Sequence, residues 1–377
     1  MVSLSLYLHV PFCVSKCGYC SFYSRPFDDV SVEAWLRGVS QEARRLTAIC
    51  AEKIPLRTIY VGGGTPSVLP VSVWKRLFQI LGKAFDFSAV MEFTVEANPC
   101  SLTEGHLSLW RDSRVTRVSL GVQSLNDYEL AWLERRHDAK TALTALEKTV
   151  SFGFDVSADL MFGLPSQTLF TWKDSLRSVL LAGGEHISTY QLTLEPGTPL
   201  GRDTSFLPDG YPFYRFAQWY LERKGLAQYE IASFARPEKL GKKSLHNLAY
   251  WRQENVIALG PSAWGYLDGF RYRNARTLEE YSALAKEGFP IVEAERLEGR
   301  LRGVEAAILA LRTKQGIDVA SFVARFGDQL MNDVLEALKK VPQRLVRFEN
   351  TRISLTPAGM RVGNAIWAEL LEHDRLC

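Results

Sequence analysis

An alternation of short apolar runs with amphipathic segments fills residues 1–235 and constrains the fold more than any other feature. Runs rich in β-branched residues predict strands, and apolar positions spaced three and four apart predict helices. The predicted strands cover residues 4–10, 57–61, 90–96, 117–122, 155–162, 187–194 and 228–234, and the predicted helices cover residues 32–49, 71–83, 103–111, 140–153, 169–182 and 211–224. This repetition predicts an α/β fold with a parallel sheet and right-handed crossovers, open or curled into a full or partial barrel.

Glycine-rich and polar segments follow several of the predicted strands. They cover residues 62–67, 96–99, 121–124 and 159–165, after the second, third, fourth and fifth strands. In parallel sheets, ligands bind at the carboxyl ends of the strands. We therefore expect a ligand or cofactor site along this edge.

Cys13, Cys17 and Cys20 follow the first predicted strand with the spacing C-x3-C-x2-C. They are too close together for unstrained disulfides among themselves, but their thiolates can converge on one metal cluster. Three thiolates can ligate three irons of a [4Fe–4S] cubane and leave the fourth iron for a small molecule. The alternative is a structural zinc or iron–sulfur site. Zinc sites usually pair two C-x2-C knuckles or add histidines, whereas the other cysteines of this chain are scattered singly.

The Gly62-Gly63-Gly64 run follows the second predicted strand. Because glycine has no Cβ, its backbone N–H groups can closely approach a carboxylate or phosphate. The alternative is a tight turn that serves geometry only. The run is not a phosphate-binding P-loop, because no Gly-Lys-Ser/Thr follows it. Beside a three-thiolate cluster, the methionyl part of S-adenosylmethionine fits, since its amino and carboxylate groups can chelate the open iron.

Composition limits the class of protein and its partners. With 46% hydrophobic and 23% charged residues, the chain of 377 residues resembles a soluble globular protein with a sizeable core. A net charge of +3 is too small to indicate binding to nucleic acid or to an anionic membrane. No apolar run approaches the ~20 residues of a transmembrane helix, and the sequence begins without a signal-peptide pattern. The clustered cysteines favour a reducing compartment, so we expect a cytoplasmic location.

The sequence predicts three parts. Residues 1–235 form the strand–helix domain. Residues 236–278, rich in aromatic residues and glycine, form a surface segment over the rim of the sheet. Residues 279–377 form a smaller, mainly helical, winged-helix-like domain, with helices at 301–312, 319–326, 329–339 and 357–372 and a hairpin of strands 345–348 and 353–355.

Several short motifs resemble one known family. They are Tyr7-Leu8-His9-Val10-Pro11-Phe12-Cys13, Gly62-Gly63-Gly64-Thr65-Pro66-Ser67, Val118-Ser119-Leu120-Gly121-Val122-Gln123-Ser124, Arg135-Arg136-His137 and Gly163-Leu164-Pro165. With the cysteine motif, they resemble the radical S-adenosylmethionine enzymes of the oxygen-independent coproporphyrinogen III oxidase family over nearly the whole chain. The resemblance implies a partial (β/α)6 barrel with a [4Fe–4S] cluster and S-adenosylmethionine at its carboxyl rim, where cofactor cleavage gives a 5′-deoxyadenosyl radical.

The resemblance also assigns roles to individual residues. Cys13, Cys17 and Cys20 would ligate iron. The residues that would contact S-adenosylmethionine, as one or two molecules, are Tyr7, Tyr19, Gly63, Gly64, Thr65, Glu96, Gln123, Arg135 and Asp159. The alternative for Glu96 and Asp159 is a capping or loop-fixing carboxylate, and the alternative for Arg135 is a solvated helix end.

Two features separate the branches of this family. In the oxidase branch, glycine and a fourth cysteine follow the cysteine motif, whereas here Ser21 and Phe22 follow it. His246-Asn247-Leu248-Ala249-Tyr250-Trp251 matches the H-N-x-x-Y-W motif of the haem-chaperone (HemW) branch. An imidazole can ligate haem iron and the two aromatic rings can contact a porphyrin face, so we predict a haem site at His246, Asn247, Tyr250 and Trp251. The alternative is a hydrogen-bonded rim histidine beside two packing aromatics.

Three functions remain open at this point. The first is a chaperone that binds haem, passes it to a haem-accepting protein, and needs an electron donor for its cluster. The second is an enzyme of porphyrin biosynthesis that decarboxylates coproporphyrinogen III oxidatively to protoporphyrinogen IX. The third is a cluster-bearing interaction protein with a vestigial cofactor site. We favour the chaperone, because the sequence carries the motif of that branch.

Overall fold

The computed structural model describes residues 4–50, 52–202, 207–237 and 242–376. A sheet of twelve strands forms its centre. In chain order the strands are β1 (Leu4–Val10), β2 (Thr58–Gly63), β3 (Glu92–Ala97), β4 (Arg117–Gln123), β5 (Asp155–Phe162), β6 (His186–Gln191), β7 (Ala227–Gln228), β8 (Ser233–Ala235), β9 (Asn255–Leu259), β10 (Trp264–Leu267), β11 (Phe270–Asn274) and β12 (Ile291–Arg296).

The order across the sheet is β7-β8-β6-β5-β4-β3-β2-β1-β9-β10-β11-β12. Strands β1 to β6 and β9 are parallel, and the pairs toward both ends are antiparallel. The end strands β7 and β12 do not pair with each other within the described residues, so the sheet stays open as a partial barrel. The predicted α/β fold class is confirmed.

Helices connect the parallel strands and cover the outer face of the sheet. They are α1 (Asp29–Cys50), α2 (Val71–Ala84), α3 (Glu104–Asp112), α4 (Asp127–Trp132), α5 (Ala139–Ser151), α6 (Leu169–Leu181) and α7 (Tyr211–Arg223). Four of them each bury one indole completely, namely Trp35, Trp74, Trp110 and Trp172. These rings anchor the helices, because a tryptophan removes more apolar surface from water than any other side chain.

Residues 236–278 differ from the prediction of a surface rim segment. They include helix α8 (Leu245–Trp251) and strand β9, which pairs with β1 in parallel, with Tyr7 opposite Ala258. Strand β9 is a short apolar run, four of whose five residues are buried. It joins the sheet beside the first strand, outside the strand–helix rhythm on which the prediction was based. The predicted strand 228–234 is also divided, since β7 and β8 are antiparallel.

The C-terminal part has its own hydrophobic core, separate from that of the sheet. Helix α9 (Leu278–Glu287) precedes β12, and then follow α10 (Gly299–Leu311), β13 (Ile317–Asp318), α11 (Val319–Phe326), α12 (Asp328–Lys339), β14 (Val346–Phe348), β15 (Arg352–Leu355), α13 (Pro357–Met360) and α14 (Gly363–Leu376). The helix predicted at 357–372 is therefore two helices, and the glycines at 359 and 363 weaken its continuity.

Strand β12 forms an exposed edge of the sheet. All six residues of β12 are exposed, and β12 pairs only with β11 within the described residues. In the described ranges, no helix combines the length and apolar character needed to cross a bilayer.

Candidate functional site

The three motif cysteines lie on one loop at the carboxyl end of β1. Cys13 ends a two-residue strand that pairs with Arg25–Pro26, and the Cys20 N–H donates to the Cys17 carbonyl at 3.1 Å. All three thiols are free and partly exposed. Burial raises the pKa of Cys20, and the charges of Cys13 and Cys17 raise it further. The three sulfurs therefore lie close enough together to influence one another.

The cysteine loop supplies three thiols as possible metal ligands. Among the residues that the structure describes, no three His, Cys, Asp or Glu side chains gather tightly enough to hold one metal ion. A zinc ion draws every sulfur ligand to about 2.3 Å from one centre, whereas a cubane binds its thiolates at separate iron corners. Three free thiols on one accessible loop are the donor set that a cluster requires.

Two predicted cofactor residues contact the cysteine sulfurs directly. The Thr65 hydroxyl lies 3.3 Å from Cys13 Sγ, and Arg135 Nη1 points at Cys17 Sγ at 3.6 Å. Arg135 is held by its other nitrogen, Nη2, which donates to the Gly121 carbonyl at 2.7 Å. A guanidinium and a hydroxyl beside sulfur can donate hydrogen bonds to it, and hydrogen bonds to the sulfurs are one factor that sets the potential of an iron–sulfur cluster. These contacts place Thr65 and Arg135 in the candidate site.

The N–H groups of the glycine run donate to acceptors within the protein. Gly64 N–H donates to the Val10 carbonyl at 2.8 Å, and Thr65 N–H donates to the Phe12 carbonyl at 2.7 Å. A Cβ on Gly64 would lie 2.6 Å from the Phe12 oxygen, too close for any side chain. The N–H groups of Gly63, Gly64 and Thr65 thus have acceptors within the protein and fasten the run to its neighbours. A contact between this run and a ligand carboxylate stays a prediction.

Glu96 fixes the same run from the neighbouring strand. Its carboxylate accepts from the Tyr60 hydroxyl at 2.6 Å and from Gly63 N–H at 3.0 Å. Burial raises the pKa of Glu96. Gly63 has φ +112°, and a Cβ there would lie 2.5 Å from the His9 ring. Glu96 thus acts as a loop-fixing carboxylate in the structure, and its contact with a cofactor stays a prediction.

Asp159 is a second half-buried carboxyl group on the inner face of the sheet. It accepts from the Ser119 hydroxyl at 2.8 Å and from the Ser157 hydroxyl at 3.4 Å. Burial, with a contribution from the Glu96 charge, raises the pKa of Asp159 to about 7. This carboxyl group can therefore change its charge near neutral pH.

Three further predicted residues lie near these groups. The Tyr7 hydroxyl lies 3.0 Å from His9 Nδ1, and burial raises the pKa of Tyr7. Tyr19 is influenced electrostatically by Arg135, Cys17 and Cys20, while burial raises its pKa. Gln123 ends β4 in the left-handed region with φ +66°. Tyr19 and Gln123 therefore lie at the carboxyl end of the sheet, whereas Tyr7 lies in the middle of β1.

The H-N-x-x-Y-W motif lies at the opposite end. Glu92, the first residue of β3, accepts from the backbone N–H groups of Leu245 and His246 at 2.8 and 2.9 Å. Arg117, the first residue of β4, donates to Glu92 at 3.2 Å and to the Lys243 carbonyl at 3.1 Å. Polar residues at the first positions of the strands therefore hold the start of α8, and the predicted rim location of this motif is wrong.

His246 is 1% exposed and points into the sheet interior. Its Nδ1 lies 2.9 Å from the Thr58 hydroxyl, and its ring stacks on Tyr60 with centroids 5.1 Å apart. The Thr58 hydroxyl donates to Ser5, so Nδ1 is assigned as the protonated nitrogen. Within the described residues no partner reaches Nε2. Burial lowers the pKa of His246 to about 3, which keeps the ring neutral.

The other residues of the motif point in different directions. Tyr250 meets the His246 ring edge-on at 5.4 Å, and burial raises its pKa. Trp251 lies under the Arg312 guanidinium at 4.3 Å. Asn247 is half-buried and donates its N–H to the Ser244 hydroxyl at 3.3 Å, within the helix cap. The structure does not bring these residues to the cysteine loop.

Polar side chains line the sheet interior between its amino and carboxyl ends, and this lining was not predicted. Thr58 and Tyr60 on β2, and Glu92, Thr94 and Glu96 on β3, are alternate residues of adjacent strands. Parallel strands covered on both faces are usually almost continuously apolar. Polar residues at every second position were therefore a signal that one face of the sheet lines a polar interior.

Residues 7–179 match the radical SAM superfamily, and residues 299–362 match the HemN C-terminal domain. Among solved structures, coproporphyrinogen III oxidase (HemN) from Escherichia coli has the same fold. The TM-score is 0.86 over 98% of this chain and 90% of that chain, at 20% identity. The fold and the site define the chain as a radical SAM protein with a HemN-type C-terminal domain.

Proteins similar in sequence identify the family within the radical SAM proteins. The chain is 32% identical to heme chaperone HemW of Bacillus subtilis (strain 168), over 97% of this chain and 99% of that protein. It is also 32% identical to heme chaperone HemW of Lactococcus lactis subsp. lactis (strain IL1403), over 98% of both chains. The chain belongs to the HemW family.

Proposed function

We propose that this protein is a cytoplasmic haem chaperone that carries a [4Fe–4S] cluster and S-adenosylmethionine, binds haem and delivers it to an acceptor haemoprotein. One observation carries the proposal. Three free thiols share a loop with Thr65 and Arg135 at their sulfurs, in a chain similar over its whole length to proteins named heme chaperones.

Each part of the loop would have a definite task. Cys13, Cys17 and Cys20 would hold the cluster, which when reduced supplies the electron that cleaves S-adenosylmethionine. Arg135 would stabilise negative charge at the Cys17 sulfur. The Thr65 hydroxyl and the glycine carbonyls would accept from the cofactor's ammonium group. A separate electron donor protein would reduce the cluster.

His246 has the protonation state that iron ligation requires. Its ring is neutral, its Nδ1 hydrogen is directed to Thr58, and its Nε2 lone pair has no partner among the described residues. Because the ring is buried, α8 would have to leave its place for His246 to reach haem iron. Tyr250 and Trp251 would then become available to the porphyrin face.

The cluster assignment is tested by anaerobic reconstitution with iron and sulfide. We expect wild type to bind iron and acid-labile sulfide in equal amounts and Cys17→Ala to lose most of both. Cys100→Ala is the control, because Cys100 lines the same cleft of about 260 Å³ as Cys17 but lies outside the motif. Equal iron in wild type and Cys17→Ala would contradict the assignment.

Haem binding is tested by spectroscopic titration of wild type and His246→Ala, followed by transfer to an apo-haemoprotein. We expect wild type to bind and transfer haem and the variant to show a changed spectrum. An unchanged spectrum would exclude His246 as the ligand. In parallel, the reconstituted protein is incubated anaerobically with reductant, S-adenosylmethionine and coproporphyrinogen III. Formation of protoporphyrinogen IX would overturn a purely chaperone function.

A further inference from the structure

A continuous set of contacts crosses the sheet interior from the motif helix α8 to the glycine run. At the amino end, the His246 ring stacks on the Tyr60 ring with an interplanar angle of 28°. Tyr60 also stacks on Tyr7, with centroids 6.1 Å apart. The Tyr60 ring is therefore packed between His246 of α8 and Tyr7 of β1. The orientation of the Tyr60 side chain depends on both contacts.

The next contact joins Tyr60 to the cofactor side. Its hydroxyl donates to Glu96 at 2.6 Å, and the other oxygen of Glu96 accepts from Gly63 N–H at 3.0 Å. Tyr60 and Glu96 also pack directly on the run, because a Cβ on Gly62 would lie 2.7 Å from the Tyr60 ring and 2.8 Å from the Glu96 carboxyl carbon. The position of the run therefore depends on the Tyr60–Glu96 pair.

The Tyr60–Glu96 pair should be sensitive to the loss of the Tyr60 hydroxyl. Glu96 is half-buried, and its two oxygens are held by one hydroxyl and one backbone N–H. A carboxyl group that loses one of its two donors is less firmly oriented, so its contact with Gly63 should weaken. The motif helix and the glycine run are thus linked through two side chains.

We propose that Tyr60 and His246 are positioning residues for the S-adenosylmethionine site, in which His246 orients Tyr60 and Tyr60 holds Glu96 against the glycine run. The inference rests on the proposed function, which puts the cofactor at this run. It gives the H-N-x-x-Y-W helix a role in cofactor binding that does not depend on haem. In this proposal the ring of His246 affects the binding of S-adenosylmethionine, whereas its nitrogen atoms affect only the binding of haem.

The first test uses Tyr60→Phe, which keeps the stacked ring and removes only the hydroxyl. In reconstituted, haem-free protein we expect S-adenosylmethionine to bind about tenfold more weakly, the effect of one lost hydrogen bond. The electron paramagnetic resonance signal of the reduced cluster should respond less to the cofactor, while iron content stays that of wild type. Tyr214→Phe is the matched control, because its hydroxyl donates to the Ile231 carbonyl and does not touch Glu96.

The second test separates the ring of His246 from its nitrogens. His246→Phe keeps an aromatic ring against Tyr60, so we expect S-adenosylmethionine affinity near that of wild type and loss of any haem ligation. His246→Gln keeps a hydrogen-bonding group for Thr58 but no ring, so we expect weaker cofactor binding. Circular dichroism establishes that each variant is folded before it is titrated.

The outcomes distinguish this inference from the proposed function. If wild type binds S-adenosylmethionine and Tyr60→Phe and His246→Gln bind it equally well, the positioning role is overturned and the proposed function stands. If both histidine variants weaken cofactor binding equally, stacking is not the link and the role of His246 fails. If reconstituted wild type does not bind S-adenosylmethionine, both are overturned.

Discussion

The acids of the sheet interior differ from exposed acids in the pH at which they carry charge. Asp159 has a pKa raised to about 7 because water is excluded around it and Glu96 lies nearby. Below that pH the Asp159 carboxyl group is mostly neutral, and above it the group is mostly negative. Asp159 can therefore make ligand binding depend on pH in the physiological range.

We predict that S-adenosylmethionine binds more tightly as the pH rises from 6 to 8. The cofactor carries a cationic sulfonium and an ammonium group, which an ionised Asp159 attracts and a protonated one does not. Calorimetric titration at several pH values measures the effect, and Asp159→Asn should remove it. Asp155→Asn is the control, since Asp155 lies on the same strand but pairs with Lys242. An unchanged pH profile in Asp159→Asn would show that another group titrates.

We predict that Gly64→Ala destabilises the protein by about 1–3 kcal/mol, the usual effect of overpacking, and lowers cluster incorporation. The new methyl group meets the Phe12 carbonyl oxygen and pushes the glycine run away from the cysteine strand. Thermal unfolding and iron content are the measurements. Gly82→Ala, where nothing lies within 4 Å of the added Cβ on helix α2, should instead be neutral or slightly stabilising. Similar losses in both variants would argue against a specific contact at Gly64.

Among the secondary structure elements, α8 is held at its first turn by a side chain from the sheet. A helix N-terminus leaves backbone N–H groups without partners, and a carboxylate placed there satisfies them. Glu92 does this from another strand while it pairs with Arg117, and both side chains are almost completely buried. This arrangement ties α8 to the amino ends of β3 and β4.

We predict that Glu92→Gln costs about 3 kcal/mol or more, because it removes the buried carboxylate opposite Arg117. The amides of residues 244–252 should exchange with solvent much faster, which hydrogen exchange with mass spectrometry measures. Glu33→Gln serves as control, since Glu33 forms an exposed pair with Arg76 and should change little. Unchanged exchange in the Glu92 variant would mean that α8 is held by its other contacts.

The elements that could be predicted are those with regular local patterns. The first six strands and their crossover helices lie within a few residues of the predicted ranges, because each helix turns one apolar stripe toward the sheet. Strand β9 carries five residues and no crossover rhythm, so its place beside β1 was not visible. The cysteine loop was predictable because its three cysteines lie close together in sequence.

The location of α8 could not be predicted for the opposite reason. Its anchor, Glu92, is 154 residues away from His246, and no local pattern joins them. The motif itself indicates a haem site as readily as a packed helix. Only the three-dimensional arrangement shows that its histidine lies under Tyr60 at the amino end of the sheet.

For the whole molecule, Arg312 joins the C-terminal core to the sheet. Its guanidinium lies 4.3 Å above Trp251 of α8 and 4.8 Å from the Trp367 ring of α14. A partly buried cation between two indoles contributes on the order of 1–2 kcal/mol for each ring. Arg312 thus links the C-terminal part to α8, the same helix that contacts Tyr60.

We predict that Arg312→Ala lets the C-terminal part unfold at a lower temperature than the sheet. Differential scanning calorimetry should then resolve two transitions, and limited proteolysis should cut first within residues 299–376. Arg296→Ala is the control, because its guanidinium lies over the half-exposed Phe270 and should leave the unfolding profile unchanged. A single transition at the wild-type temperature in Arg312→Ala would contradict this role.

The exposed strand β12 has a consequence for how copies of this chain meet. An open edge can hydrogen-bond to another strand and extend a sheet from molecule to molecule. Here the edge strand carries Glu293 and Glu295, which pair with Arg273 and Arg271 of β11, so the edges of two copies would bring carboxylates of the same sign together. Salt screens such charges. Concentrated solutions should therefore stay dispersed at low ionic strength and form intermolecular β-structure more readily at high ionic strength.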